Sequence, residues 1–330
     1  MVDLSTTYMG LKLKNPIIAG SSGMTRTVAD IVEVEKNGGA AVVMKSLFEE
    51  QIRLDINRSL NQSSVDTPYG YAEALDYISN YSRENAVGEY LNTIREAKTM
   101  VSIPIIASIN CTSPHEWITF ARKVQEAGAD ALELNIFILP SDPRMNGEEN
   151  KQIYLDIIQS VLKQITIPLA VKISYYFSDL AKFSLKLSWT GISGLVLFNR
   201  FFSPDIDIEH FKVTATNVLS TPEELAMSLR WVAILSDKVH CDIAASTGVH
   251  DGKAVIKQIL AGARAVQCVS ALYNKGYGHI GTMLAELEEW MVRHNYSKID
   301  DFFGILSYKK AENPAPYERV QFMKHFAGIE

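Results

Sequence analysis

The chain has 330 residues, 47% of them hydrophobic and 21% charged, with a net charge of −6. That size and apolar content suit one α/β barrel with a large buried core, and no low-complexity tract or compositional shift marks a second domain. The acidic balance comes without any Lys/Arg block, which argues against nucleic acid or an anionic membrane as partner and favours small-molecule chemistry.

About eight short apolar runs rich in Val, Ile and Ala alternate with longer segments of helical periodicity, the pattern of parallel strands buried on both faces. In chain order they are Pro16–Gly20, Ala40–Met44, Pro104–Ile109, Ala131–Asn135, Pro168–Lys172, Gly194–Asn199, Cys241–Ala245 and Ala265–Val269. Several helices end in a small-residue turn before the next strand, as in EKNGGA, QEAGADA and LAGARA, where glycine adopts positive φ without a Cβ clash. Eight such units predict a closed (β/α)8 TIM barrel, a single domain over residues 1–330, rather than an open doubly wound sheet, whose dinucleotide glycine turn is absent. The segments 46–90, 136–150 and 199–221 are expected to be long loops over the C-terminal face, and Ser297–Glu330 an extension packed on the barrel.

No run of about 18 uncharged apolar residues occurs and the N-terminus has no basic-then-hydrophobic pattern, so the protein reads as soluble and cytoplasmic. The three cysteines, Cys111, Cys241 and Cys268, form no CxxC pair, and two of them lie in apolar runs and are expected in the core. No metal-ligand spacing such as HExxH is present and no metal is predicted.

In such barrels the site forms at the C-terminal ends of the strands. Lys45 and Lys172 each follow an apolar strand, where an ammonium group needs an anionic partner, either a neighbouring carboxylate or a bound ligand. Asn110, Asn135 and Asn199 take comparable places; each alone could be a turn or cap, but three at one rim suit the carbonyl and N–H edges of a flavin or pyrimidine. After the seventh strand comes Ser246-Thr247-Gly248-Val249-His250-Asp251-Gly252, and after the eighth Val269-Ser270, the segments that build a backbone phosphate site in these barrels. His250, at a helix start, is expected to be a cap or solvated side chain rather than a base.

The ordered series NPIIAGSSGMTR, AVVMKS, ALELN, PLAVKIS, LVLFN and ASTGVHDGKAVIKQILAGARAVQCVSALY resembles the dihydroorotate dehydrogenases, and within them the soluble class 1A enzymes. The similarity runs nearly end to end, through EEWMVRHNYSKIDDFFGIL. It implies FMN on the barrel mouth, its ring near Gly20, Ser21, Lys45, Asn110, Asn135 and Lys172, and its phosphate near Ser246, Thr247, Gly248, Val269 and Ser270. It also implies a cytosolic homodimer that oxidises the CH–CH bond of dihydroorotate, in pyrimidine biosynthesis, with substrate contacts from Lys45, Asn135, Asn199 and Arg200.

The departures lie on the substrate side. Where the family carries Asn-x-Ser-Cys-Pro-Asn with a cysteine base, this chain reads Asn135-Ile136-Phe137-Ile138-Leu139-Pro140-Ser141-Asp142, and an aliphatic side chain cannot take a proton. Ser141 and Asp142 are the weak candidates to replace it. The substrate loop reads SSVDTPYGYAEALDY without the family's Asn-Ser-x-Gly, Arg200 follows Asn199 where the family has serine, and the later glycine-rich turn becomes NVLSTPEE. The expectation is an FMN oxidoreductase acting on dihydroorotate or a related small substrate. The alternatives are a non-catalytic FMN-binding relative and a flavin-free barrel using Lys45 or Lys172 as a Schiff-base nucleophile.

Overall fold

The computed structural model describes residues 2–50, 52, 72–200, 203–215 and 218–318. Each of the expected apolar runs forms a parallel strand within two residues of its predicted ends: β1 (Ile17–Ala19), β2 (Ala41–Val43), β3 (Ile105–Asn110), β4 (Ala131–Asn135), β5 (Leu169–Ile173), β6 (Gly194–Leu197), β7 (Asp242–Ser246) and β8 (Ala265–Cys268). Neighbours pair in sequence order and β8 returns to β1, which closes the sheet into a barrel. Around it run α1 (Val28–Lys36), α2 (Ala72–Met100), α3 (Pro114–Glu126), α4 (Gly147–Leu162), α5 (Leu180–Ser188), α6 (Leu225–Leu235) and α7 (Gly252–Ala261), followed by the short α8 (Ser270–Lys275) and α9 (His279–Arg293).

Local sequence sets the helix ends. Thr27 and Asp30 form a reciprocal cap at α1, and Asn146 and Glu149 do the same at α4. Gly38, Gly128 and Gly262 have φ of 96°, 96° and 112°, the left-handed conformation expected of the three small-residue turns.

The loop boundaries differ from expectation. The segment 46–90 is not loop throughout, because α2 already starts at Ala72, where AEALDYISN supplies helix formers; residues 53–71 lie outside the described residues. The segment 136–150 ends in α4 from Gly147, and 199–221 contains an antiparallel hairpin, Pro204–Asp207 with Lys212–Ala215. The C-terminal extension does pack on the barrel: the amides of Gly304, Leu306 and Tyr308 donate to carbonyls of Ile259, Leu260 and Ala233 at 2.8–2.9 Å, while residues 319–330 lie outside the described set.

Strand side chains alternate with period two, so a closed barrel sorts them into an outer set facing helices and an inner set. The outer set, including Ile17, Val42, Leu132, Val171 and Val266, joins the helices in the larger hydrophobic core. The inner set, Ile18, Val43, Ile106, Ala131, Ala170, Val196, Ala244 and Ala265, makes a second core. An N-terminal hairpin, Thr6–Tyr8 paired with Leu11–Leu13, plugs this end with Tyr8, Met9 and Leu13. The plug is latched where the amide of Met9 donates to Asp242 Oδ2 at 2.8 Å.

Gly194 is where the plug comes nearest the wall: a Cβ there would lie 2.8 Å from Tyr8 Oη and 2.9 Å from Met9 Cγ. Gly194→Ala is expected to destabilise the fold by about 1–3 kcal/mol through overpacking, measured by urea unfolding. An unchanged midpoint would show that the hairpin is not seated against β6.

Candidate functional site

Two residues beyond each apolar inner position, on the same face, the barrel reads Gly20, Lys45, Ser108, Glu133, Lys172, Phe198, Ser246 and Gln267. The inner surface therefore changes from apolar to largely polar on approaching its C-terminal mouth. A cavity of about 570 Å³ opens there, in the size range of small-molecule sites. Its lining includes Ser21, Lys45, Asn135, Lys172, Asn199 and Arg200, and also Ser246, Thr247, Gly248, Val269 and Ser270. Thus most of the sequence-predicted residues come together.

Gly20 is placed at the end of β1 with its amide donating to Cys268 O at 2.9 Å; a Cβ there would meet Val269 Cγ2 at 2.7 Å, so its smallness lets β1 and β8 close. Asn110 lines not this cavity but a neighbouring one. Ser141 and Asp142 are in neither lining. Asp142 instead accepts from Arg144 Nη2 at 2.8 Å and Nε at 3.0 Å, and these bonds hold its carboxyl below the usual range. A lowered pKa makes it a weaker base, so the structure corrects that candidacy.

At one end of the cavity, Lys172 is 8% exposed and its Nζ donates to Gln267 Oε1 at 2.9 Å. Gln267 Nε2 in turn donates to Glu133 Oε2 at 2.6 Å, and Glu133 Oε1 lies 4.0 Å from Lys172 Nζ. Burial lowers the pKa of Lys172 and raises that of Glu133, in each case against their mutual attraction. Sequence reasoning missed Glu133 and Gln267, although the signal was present: each interrupts an apolar strand at inward-facing parity. Asn135 Oδ1 is buried without a hydrogen-bond partner among the described residues. Asn199 donates from Nδ2 to the carbonyls of Lys172 and Ile136 at 3.3 and 3.4 Å.

Near Lys45, hydroxyls are chained: Ser21 Oγ lies 3.1 Å from Ser46 Oγ, which lies 2.7 Å from Ser108 Oγ. Tyr90 Oη anchors α2 to this chain by accepting from the amide of Ser108 at 2.9 Å and donating to its carbonyl at 3.1 Å.

At the other end, Thr247 and Gly248 both have φ of 76°, turning the chain sharply between β7 and α7. Ser220, from the loop after β6, donates its amide to Ser270 Oγ at 2.8 Å, and its own Oγ accepts from the amide of Gly248 at 3.3 Å. This Ser220 link between three loops was not legible locally, because it comes from a loop distant in sequence. His250 is neither cap nor freely solvated: Asp251 caps α7, while His250 Nε2 lies 3.2 Å from Ser220 Oγ. Arg200 lines the cavity, yet its Nε donates to Glu224 Oε2 at 2.9 Å and its Nη1 to Val218 O at 2.8 Å. Cys268 is buried and Cys241 half-buried, and burial pushes both thiols up to about 12; Cys111 is buried beside the neighbouring cavity. The altered substrate loop falls largely on 63–71, and Phe201, Phe202 and Asn217 of the loop after β6 also lie outside the described residues.

The comparisons with known proteins agree with this barrel. Residues 3–291 match the family described as Dihydroorotate dehydrogenase. The chain belongs to the dihydroorotate dehydrogenase family. It is 27% identical, over 92% of this chain and 99% of the relative, to the catalytic subunit of dihydroorotate dehydrogenase B (NAD(+)) of Thermoplasma acidophilum, and 29% identical, with the same coverage, to that of Thermoplasma volcanium. A putative dihydroorotate dehydrogenase A (fumarate) of Aeropyrum pernix is 26% identical over 92% of this chain and 97% of the relative. Identities this close between the B and fumarate types do not single out the class 1A branch within the family. Among the described residues no helix is long and apolar enough to cross a membrane.

The buried pair makes a pH prediction. Lys172→Met removes the cation beside Glu133 and raises that carboxyl further above its unfolded value. A raised carboxyl pKa favours folding below the unfolded value, about 4.3, and that contribution is lost as pH rises through the folded pKa. The variant is therefore expected to lose about 3 kcal/mol at neutral pH, with the deficit shrinking towards pH 4–5, about where unfolded glutamate titrates. Urea titrations of the ligand-free protein at several pH values measure this, and a pH-independent deficit would refute the coupling.

Proposed function

We propose that residues 1–330 form one domain, a cytoplasmic FMN-dependent oxidoreductase of the dihydroorotate dehydrogenase family that acts on a CH–CH group of a small substrate. The observation that carries this reading is the cavity itself, which joins Lys45, Asn135 and Lys172 at one end to the Ser220, Gly248 and Ser270 cluster at the other. The residues fit the cofactor: the unpartnered Asn135 Oδ1 accepts from an N–H group, as a flavin ring carries, and the positive-φ turn with its hydroxyl neighbours suits a phosphate.

FMN, when bound, supplies the two-electron acceptor. Gly20, Ser21, Asn135 and Lys172 would surround its ring, and Ser246, Thr247, Gly248, Val269 and Ser270 its phosphate, with Asn110 facing the neighbouring cavity. Lys45 and Lys172 place positive charge beside anionic parts of cofactor or substrate, with Asn135 and Asn199 shaping the substrate side and Arg200 holding the loop that carries Ser220. The exposed hairpin bearing Ile206, Phe211 and Val213 supports association of two chains, since it leaves an apolar surface for a partner to cover.

Ile138, standing where the family's cysteine base is expected, favours a second reading in which FMN is held without turnover. A flavin-free Schiff-base barrel also draws on the lowered Lys172 pKa, but that amine is already hydrogen-bonded to Gln267. Borohydride trapping on Lys172 without flavin would establish that reading in place of ours.

The purified protein is expected to show a flavin spectrum that dihydroorotate does not bleach rapidly under anaerobic conditions, while another reduced small molecule does. Bleaching by dihydroorotate would restore the family's own reaction, flavin that no substrate reduces would favour the non-catalytic reading, and failure to bind added FMN would end the proposal. Gly248→Ala is expected to cut FMN retention at least about tenfold, because its Cβ would lie 2.2 Å from the amide nitrogen of Leu225. Cofactor content after gel filtration measures it.

A further inference from the structure

A second cavity of about 570 Å³ adjoins the first and shares Phe48, Asn135, Asn199 and Arg200 with it. Part of its lining is amide: Asn110, Asn135 and Asn199, from the ends of β3, β4 and β6. Most of the rest is apolar, with Trp117 from α3, Ile136 and Ile138 from the loop after β4, and Ile153 and Ile157 from α4. Ile153 and Ile157 are four residues apart, so they stand on one face of α4, and both are half-buried, as side chains that line a cavity are.

The charges described around this space do not suit a carboxylate. Among the described residues, two charged side chains reach its lining, Glu50 and Arg200. Glu50 would repel a carboxylate, and the guanidinium of Arg200 is engaged by Glu224 and by the carbonyl of Val218. Lys45 and Lys172 line the first cavity and are not in the lining of the second. Among the described residues a carboxylate entering here would lose its water without gaining a cation, whereas an apolar group gains from burial against the isoleucines and Trp117. The Oδ1 of Asn135, common to both cavities, has two lone pairs, so beside a flavin N–H it can accept a second N–H donor here.

We propose that this cavity is the substrate subsite and selects a neutral cyclic amide carrying an apolar substituent, in preference to a ring bearing a carboxylate. The assignment as substrate subsite rests on the reading of the first cavity as the FMN site.

The test titrates the FMN-loaded and flavin-free protein by calorimetry with 5-benzyluracil, uracil and orotate. Expected is binding of 5-benzyluracil at least tenfold tighter than uracil, and of uracil tighter than orotate. Ile157→Asp is expected to lose the preference for 5-benzyluracil. Ile138→Lys, which adds a cation to the wall, is expected to raise orotate affinity at least tenfold, a gain that a misfolded variant could not produce. Orotate binding as tightly as 5-benzyluracil, no advantage of the benzyl group, or no binding by any probe would overturn the proposal. Because the ranking is also read in the flavin-free protein, failure to take up FMN would count against the oxidoreductase reading, while the ranking separately decides what the cavity selects.

Discussion

Closure of eight short strands leaves an interior that must be filled, and period-two alternation decides what fills it. One layer of inward positions is small or branched and apolar, sealed by Tyr8, Met9 and Leu13 of the N-terminal hairpin. The next layer towards the mouth carries Lys45, Ser108, Glu133, Lys172, Ser246 and Gln267. Three of the polar groups at that depth are linked, Gln267 accepting from Lys172 and donating to Glu133, while Glu133 Oε1 has only the Lys172 charge at 4.0 Å beside it among the described residues. The plug and the polar layer are two consequences of the same alternation, and the candidate site rests on the second.

This explains what could be read from the sequence. Strands buried on both faces are near-continuous apolar runs, so all eight were visible, and a residue that breaks such a run at its C-terminal end, as Lys45, Asn135 and Lys172 do, falls at the mouth. Glu133 and Gln267 carried the same signal inside their strands rather than at the ends, but an inward direction is assigned only when the strand register is known. Ser220 was beyond local reading, because its partners Ser270 and Gly248 come from loops after other strands. Asp142 was misjudged for a related reason: its distance in sequence from β4 said nothing of Arg144, two residues on, which claims both carboxylate oxygens.

The two ends of the mouth differ in how much they depart from the resembled family. At the proposed phosphate end, changed glycines are accompanied by a network of the Ser220 and Ser270 hydroxyls and the His250 ring. On the proposed substrate side, Ile138 stands where the family's base is expected, in a lining that also holds Ile136, Ile153 and Ile157. Loss of a base alone would leave a polar pocket with one group missing. Here much of the surroundings is apolar as well, which under the proposed reading goes with a changed ligand rather than with a single lost residue.

Arg200 shows why an added charge need not be a substrate contact. Half-buried at the mouth, its guanidinium is bound by Glu224, whose Oε1 also accepts from the amide of Thr221 at 2.8 Å. Its Nη1 donates to the carbonyl of Val218. Both ends of the segment Val218–Glu224 are thus tied to one side chain, with Ser220 held between them. A partly buried ion pair of this kind adds little net stability once desolvation is counted, but its directional bonds favour one loop conformation over others. Arg200 therefore holds the loop that carries Ser220 at one end of the first cavity, and its charge is already compensated by Glu224 before any ligand arrives.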